Sequence, residues 1–140
     1  MPLVDLDAIP QVELQFQNDD HREEGRLLNE VAAAISSLRD GRGSKEQVLS
    51  TLGALDRHTR DHFAREEDAM RRARFPPYAM HAGDHARVLA EMESEARAFA
   101  EKGDVERLWR YVSQAVPAWF VTHIQTMDLV TSRFVRQQGG

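Results

Sequence analysis

His62-Phe63-Ala64-Arg65-Glu66 and, fifteen residues further on, His81-Ala82-Gly83-Asp84-His85 are the stretches that decide the fold. In each, two metal-competent side chains stand four residues apart, one turn of an α-helix, so both project from the same face. Pro76-Pro77 falls between them and forbids one continuous helix. Two helices joined by a tight turn, each carrying imidazole or carboxylate on its inner face, is the arrangement this stretch predicts.

Working outward, the same period continues. Val48, Leu52, Leu55, Thr59, Phe63 and Met70 form a mostly apolar stripe that opens at Ser44. Gln47, three residues on, completes a capping-box pattern. Val88, Leu89, Met92 and Phe99 carry the third helix, from about Tyr78 to Glu101, and Lys102-Gly103 closes it. Upstream, Leu27, Leu28, Val31, Ile35 and Leu38 mark a first helix ended by Asp40-Gly41-Arg42-Gly43. Its start is expected near Asp19 or Asp20, with Asp20 and Glu23 as a capping box. Residues 1–17 then read as an irregular arm and 18–137 as the domain. A fourth stretch, about 104–136, carries Leu108, Val112, Ala115, Trp119, Phe120, Ile124, Met127, Val130 and Phe134, with a kink or break expected at Pro117. Nothing reads as a strand. The expected fold is all-α, an up-down-up-down four-helix bundle with an N-terminal arm, a fold that builds metal sites from facing helices.

Composition narrows the function. The 140 residues suit one domain, and a formal net charge of −5 argues against nucleic acid as partner. The absence of cysteine excludes disulfides and thiolate metal sites. With no long apolar run and no signal-peptide pattern, no membrane association and a cytoplasmic location are the expectation.

The histidines carry the chemistry. His123 is followed by Asp128 five residues later, about 140° around an ideal helix, so this pair needs a long reach or a local distortion. His21 stands alone near the start of the first helix. A single histidine is more often a packed or surface residue than a ligand. Three such patterns on three successive helices are not so explained. Nitrogen and oxygen ligands suit iron, zinc or manganese. Five histidines exceed one metal's needs, and two metals sharing Glu66 and Asp128 is the economical solution.

The run His62 to Met70, Phe75-Pro76, and His81 to His85 resembles the hemerythrin signature. Trp119-Phe120-Val121-Thr122-His123-Ile124 with Asp128 is similar to that family's fourth-helix motif, and His21 with Leu27-Leu28-Asn29-Glu30 to its first. The resemblance spans about residues 17–135. It implies two iron ions with a bridging oxo or hydroxo: His81, His85 and His123 on one, His21 and His62 on the other, Glu66 and Asp128 shared. It also implies that the second iron keeps an open position for dioxygen, peroxide or a similar small ligand.

Two positions depart from that pattern. Glu24 stands where the family has an apolar pocket wall, followed by Gly25 in place of a large apolar residue, and His58 stands where bacterial relatives often have tyrosine. Glu24 is one turn after His21 and His58 one turn before His62, so bundle geometry puts both at the level of the open position. Trp119 and Phe120, one turn before His123, share that level. The expectation is a polar Glu24–His58 pair in the pocket, ligating the second metal or hydrogen-bonding its ligand, with Gly25 leaving room for movement or water. The bland alternative has Glu24 reaching solvent and His58 packed as an ordinary aromatic. Reversible dioxygen binding favours an apolar pocket. An acid–base pair instead favours a peroxidase- or oxidase-like oxidoreductase, and a Glu24 that filled the open position would give a closed or storage site. Glu67 is expected in solvent and Met70, Met80, Met92 and Met127 in the core.

Overall fold

A computed structural model describes residues 2–139. Among them the regular structure is entirely helical. A short 3-10 turn, Leu6–Ala8, precedes α1 (Gln15–Arg39), α2 (Lys45–Ala73) and α3 (Tyr78–Lys102). A fourth rod follows, made of α4 (Val105–Arg110), α5 (Val116–His123) and α6 (Leu129–Gln137). Its pieces are joined without a break by π-turns at Tyr111–Ala115 and Ile124–Asp128. Helices in sequence pack against one another, and α1 closes the ring against the fourth rod. This is the expected four-helix bundle with an N-terminal arm. No described helix is long and apolar enough to cross a membrane.

The helix ends follow local chemistry. Ser44 caps α2, its hydroxyl accepting from the Gln47 N–H while the Gln47 side chain accepts from the Ser44 N–H. Gly103 ends α3 in the left-handed region at φ 67°, as the sequence suggests. Arg74 ends α2 in the same conformation, at φ 56°. A non-glycine residue is uncommon there, and Pro76 and Pro77, which follow within three residues, force the chain out of the helix.

The start of α1 corrects the sequence reading. The helix begins at Gln15, not near Asp19 or Asp20, and Asp20 caps nothing. Its carboxylate takes two hydrogen bonds from Arg65 at 2.9 and 2.8 Å. Tertiary contacts fix the start instead: the Glu13 N–H donates to Ser132 Oγ, and Leu14 is buried. The arm itself is clamped twice. The Asn18 side chain exchanges hydrogen bonds with both backbone groups of Val12, and the Asn29 side chain with both of Val4. Each clamp satisfies a donor and an acceptor that the irregular arm could not pair within itself.

The interior has two halves. At one end Leu27, Leu28, Val31, Ile35, Val48, Leu55, Phe99, Leu108 and Val112 make an apolar core. A second cluster, Ile9, Val12, Phe120 and Ile124, fastens the arm to the fourth rod. The other end holds the histidines. The up-down order makes this so: His21 is early in α1, His62 late in α2, His81 and His85 early in α3, and His123 late in the fourth rod, so all five fall at one level.

Two further expectations change. Gly25 does not open space: a Cβ there would lie 2.9 Å from Leu6, 3.1 Å from Val4 and 3.2 Å from Ile9, because the arm packs on it. Met80 is 63% exposed and so is not core, whereas Met70 is fully buried.

Candidate metal centre

Two carboxylates stand at the middle, 1% exposed each, and each turns its two oxygens in opposite directions. Glu66 Oε1 is 3.1 Å from His85 Nε2 and 3.7 Å from His81 Nε2, and Asp128 Oδ1 is 3.1 Å from both His81 Nε2 and His123 Nε2. On the other side Glu66 Oε2 is 2.9 Å from His62 Nε2 and 3.7 Å from His21 Nε2, and Asp128 Oδ2 is 2.9 Å from His21 Nε2. The seven expected residues are thus brought together as two groups. Three imidazoles and two oxygens converge on one point, and two imidazoles and Glu66 Oε2 on another, with Asp128 Oδ2 beside His21.

The awkward spacing in the fourth rod resolves through its second π-turn. From Ile124 to Asp128 the backbone bonds run i to i+5. That wider turn brings the residue five positions on back to the same face, which places Asp128 beside His123. The first π-turn does a related job. Pro117 has no N–H to give, and the π-turn just before it lets the rod continue.

Outer hydrogen bonds fix the tautomers on the three-histidine side. His123 Nδ1 donates to Asp84 Oδ2 at 2.8 Å, and His85 Nδ1 donates to Glu67 Oε2 at 2.9 Å. His81 Nδ1 lies 2.8 Å from Thr131 Oγ1, whose own hydroxyl points to Met70 Sδ, so the imidazole is the donor. In each neutral ring the Nε2 is then a lone pair. His81 Nε2 and His123 Nε2 nonetheless face each other at 3.1 Å, and His85 Nε2, Glu66 Oε1 and Asp128 Oδ1 are buried without a hydrogen-bond partner. Lone pairs aimed at one another across a buried gap repel unless a cation lies between them. The donor set therefore fits a metal, and outer partners of this kind typically orient ligating histidines.

On the two-histidine side only Glu66 receives such support, from Gln17 Nε2 at 3.0 Å. The His21 and His62 Nδ1 atoms have no hydrogen-bond partner.

Electrostatics point the same way. Burial disfavours charge on Glu66, but His62, His21 and His85 overcome it and hold its pKa well below the carboxylate range. Asp128 is lowered too: burial and Glu66 oppose the shift, and His123, His21 and His81 outweigh them. Burial works against protonated His62, yet Glu66 and Glu24 raise it well above the usual histidine value. His21 and His123 are raised despite burial by Asp128 and Glu66. No lysine or arginine is needed to explain these directions. The cluster holds itself together by trading positive for negative charge, the task a bound cation performs.

Glu24 and His58 lie close to one another beside this centre, with no hydrogen bond between them. Glu24 Oε2 is 3.5 Å from His58 Nε2 and 3.6 Å from His62 Nδ1, the nitrogen turned away from Glu66. Glu24 Oε1 accepts from the Thr59 hydroxyl, while Oε2 has no partner. His58 Nε2 also lies 3.1 Å from the Asp20 carbonyl oxygen. Trp119 stacks on His123 with ring centroids 4.6 Å apart and donates Nε1–H to Asp84 at 2.9 Å. Phe120 meets His21 edge-on at 5.9 Å.

Sequence reasoning missed several supporting residues. Glu67 is not in solvent but half-buried on His85. Asp84, Thr131 and Gln17 were not singled out. Asp84 offered a signal, an acidic residue between two histidines of one turn. Thr131 and Gln17 offered none.

The chain matches the hemerythrin HHE cation binding domain over residues 13–131. It belongs to the hemerythrin family. A bacteriohemerythrin from Ralstonia nicotianae is 36% identical over 113 residues, covering 81% of this chain and 74% of that protein. A bacteriohemerythrin from Aquifex aeolicus is 25% identical over 118 residues, covering 84% and 86% respectively. This hemerythrin-like chain is thus a cation-binding protein, with its histidine and carboxylate cluster as the candidate site.

Proposed function

We propose that this hemerythrin-like protein holds two iron ions with a bridging oxo or hydroxo and binds dioxygen or a related small ligand, for carriage, delivery or sensing in the cytoplasm. The observation that carries this reading is the unequal division of donors around the shared carboxylates. One group offers three imidazoles and the other two, so the second metal would have one protein ligand fewer. His81, His85 and His123 would hold the first metal, His21 and His62 the second, and Glu66 and Asp128 would bridge. Two irons, each able to give one electron, would supply two-electron chemistry toward dioxygen. Phe120 and the arm cluster exclude water from the His21 side, and Asp84, Glu67 and Thr131 keep three imidazoles in the binding tautomer.

The second reading is an oxidoreductase that reduces peroxide at the same centre. Glu24 favours it: a carboxylate oxygen, buried and without a partner, stands 3.6 Å from His62 and 3.5 Å from His58. Such a group can hold or release a proton beside a reacting ligand.

The test is the absorption spectrum of the iron-loaded, reduced protein before and after oxygen is added. A ligand-to-iron charge-transfer band that disappears on deoxygenation supports the binding reading. Absence of the band, with its appearance in Glu24→Leu and peroxide turnover only in the native chain, supports the oxidoreductase. If neither protein responds to oxygen, azide or peroxide, both readings fail.

A further inference from the structure

His62 faces two ways. Its Nε2 turns to Glu66 at 2.9 Å, and across the ring its Nδ1 faces Glu24 Oε2 at 3.6 Å. Glu24 Oε2 is in turn 3.5 Å from His58 Nε2. Ligand atoms of Glu24, His58 and His62 all lie within 4.8 Å of one another. They form a third convergence of donors, on the far side of the His62 ring from Glu66 and Asp128.

Hydrogen bonding leaves two of these three atoms unused. His62 is 3% exposed and its Nδ1 has no partner. Glu24 Oε2 is buried without one too, while the Thr59 hydroxyl donates to the other oxygen. Among the described residues no lysine or arginine pairs with Glu24, whose charge is met only by imidazoles. A buried carboxylate oxygen without a partner is costly. An equally unpartnered nitrogen facing it leaves the gap between them for something else to close. The third atom, His58 Nε2, donates to the Asp20 carbonyl at 3.1 Å. That carbonyl stands four residues before Glu24 in α1, so the Glu24 N–H supplies it with a helical donor as well. A neutral histidine carries its proton on either nitrogen, and with the proton on Nδ1 His58 offers Nε2 as a ligand.

The spacing suits a tetrahedral ion. Around zinc, with bonds of about 2.0–2.2 Å, tetrahedral ligand atoms stand about 3.4 Å apart. The separations of 3.5 and 3.6 Å are close to that value.

We propose that Glu24 Oε2, His58 Nε2 and His62 Nδ1 form a further divalent-cation site of zinc type, which shares His62 with the metal centre. Two imidazole nitrogens and one carboxylate oxygen supply three ligands, and the fourth position takes water. The charges close. The cation replaces the proton on His62 Nδ1, which leaves to solvent, and the resulting imidazolate and the Glu24 carboxylate together neutralise the dication. An imidazolate is a stronger donor than an imidazole, so occupancy here would tighten His62 on the second metal. The proposal rests on the two-metal reading only in giving His62 Nε2 to that centre.

The experiment compares zinc bound per chain, after dialysis, in the native full-length protein, Glu24→Gln and His58→Phe. Circular dichroism checks that each variant remains helical. The native chain holds one zinc more than either variant, whatever the total. Cobalt(II) in place of zinc reports geometry, because four-coordinate cobalt absorbs visible light far more strongly than five- or six-coordinate cobalt. The native chain carries a strong band that both variants lack. Equal zinc content in the native chain and both variants, or a strong cobalt band that persists in them, overturns the proposal. His85→Ala, which touches only the main centre, lowers the total and leaves the cobalt difference in place. Failure of the iron and oxygen reading would likewise change the total and not the difference of one.

Discussion

His123 Nε2 and Asp128 Oδ1 stand 3.1 Å apart although five residues separate them, because a π-turn lies between. Five residues of that turn cover nearly the arc that four cover in an α-helix. Deleting the exposed Gln125 should therefore convert the pair to ordinary helical spacing and keep metal binding. Inserting an alanine at the same place should rotate Asp128 by about 100° and abolish it. Bound metal per chain, measured after dialysis, decides between them. Loss of metal in the deletion would show that the turn does more than set spacing.

Asp84 and Glu67 each accept a hydrogen bond from the outer nitrogen of an inward-facing histidine. Asp84→Asn and Glu67→Gln should each weaken metal affinity by about ten- to a hundredfold. The helical content should not change. A chelator competition series measures this directly, and unchanged affinity in both variants would remove these residues from the centre's support.

The titration directions give opposite pH dependences with and without metal. His21, His62 and His123 have raised pKa values in the folded chain. Their contribution is complete below the unfolded histidine value of about 6.5 and is lost as pH rises through the raised values. Glu66 and Asp128 are lowered, so theirs is complete above about pH 4.5 and is lost as pH falls through the lowered values. Metal-free protein should thus be most stable between those limits and should weaken as pH is raised past neutrality. Metal affinity should rise over that same alkaline interval, because protons no longer compete for the ligands. Thermal unfolding with and without zinc from pH 5 to 9 tests both halves; parallel curves would contradict the assignment.

At Gly25 two effects oppose each other. Alanine there gains about 1 kcal/mol of helix propensity, and its Cβ meets only the far ends of Leu6, Val4 and Ile9. Gly25→Ala should come out close to neutral. Gly25→Leu cannot be accommodated beneath the arm and should cost about 1–3 kcal/mol. It should also expose residues 2–13 to proteolysis, as should Asn29→Leu, which removes the clamp on Val4. Limited digestion followed by mass analysis reads this out.

How much of this the sequence revealed depended on the range of the interaction. Ser44, Gly103 and the four-residue spacing of His62 with Glu66 act within one helix, and the bundle and its histidine level were legible from them. The His123–Asp128 spacing announced a distortion without saying which. The start of α1 was misread because Asp20 with Glu23 mimics a capping box, while the actual start depends on Ser132, more than a hundred residues away. Gly25 looked like open space for the same reason: the arm that fills it arrives from elsewhere in the fold. Asp84, Glu67, Thr131 and Gln17 act across helices, and their roles depend on interhelical register that no local pattern encodes.

The braces on the imidazoles are unequally shared: Thr131, Glu67 and Asp84 hold the outer nitrogens of His81, His85 and His123, while those of His21 and His62 accept no partner. Two cations held this way would not leave together. Scarcity of metal would first empty the two-histidine side and produce a half-loaded protein, stable but unable to perform any chemistry that needs both ions. Activity would then fall away while most of the bound metal was still in place, so the loosely held ion, and not the total content, would set the cellular metal level at which the protein works.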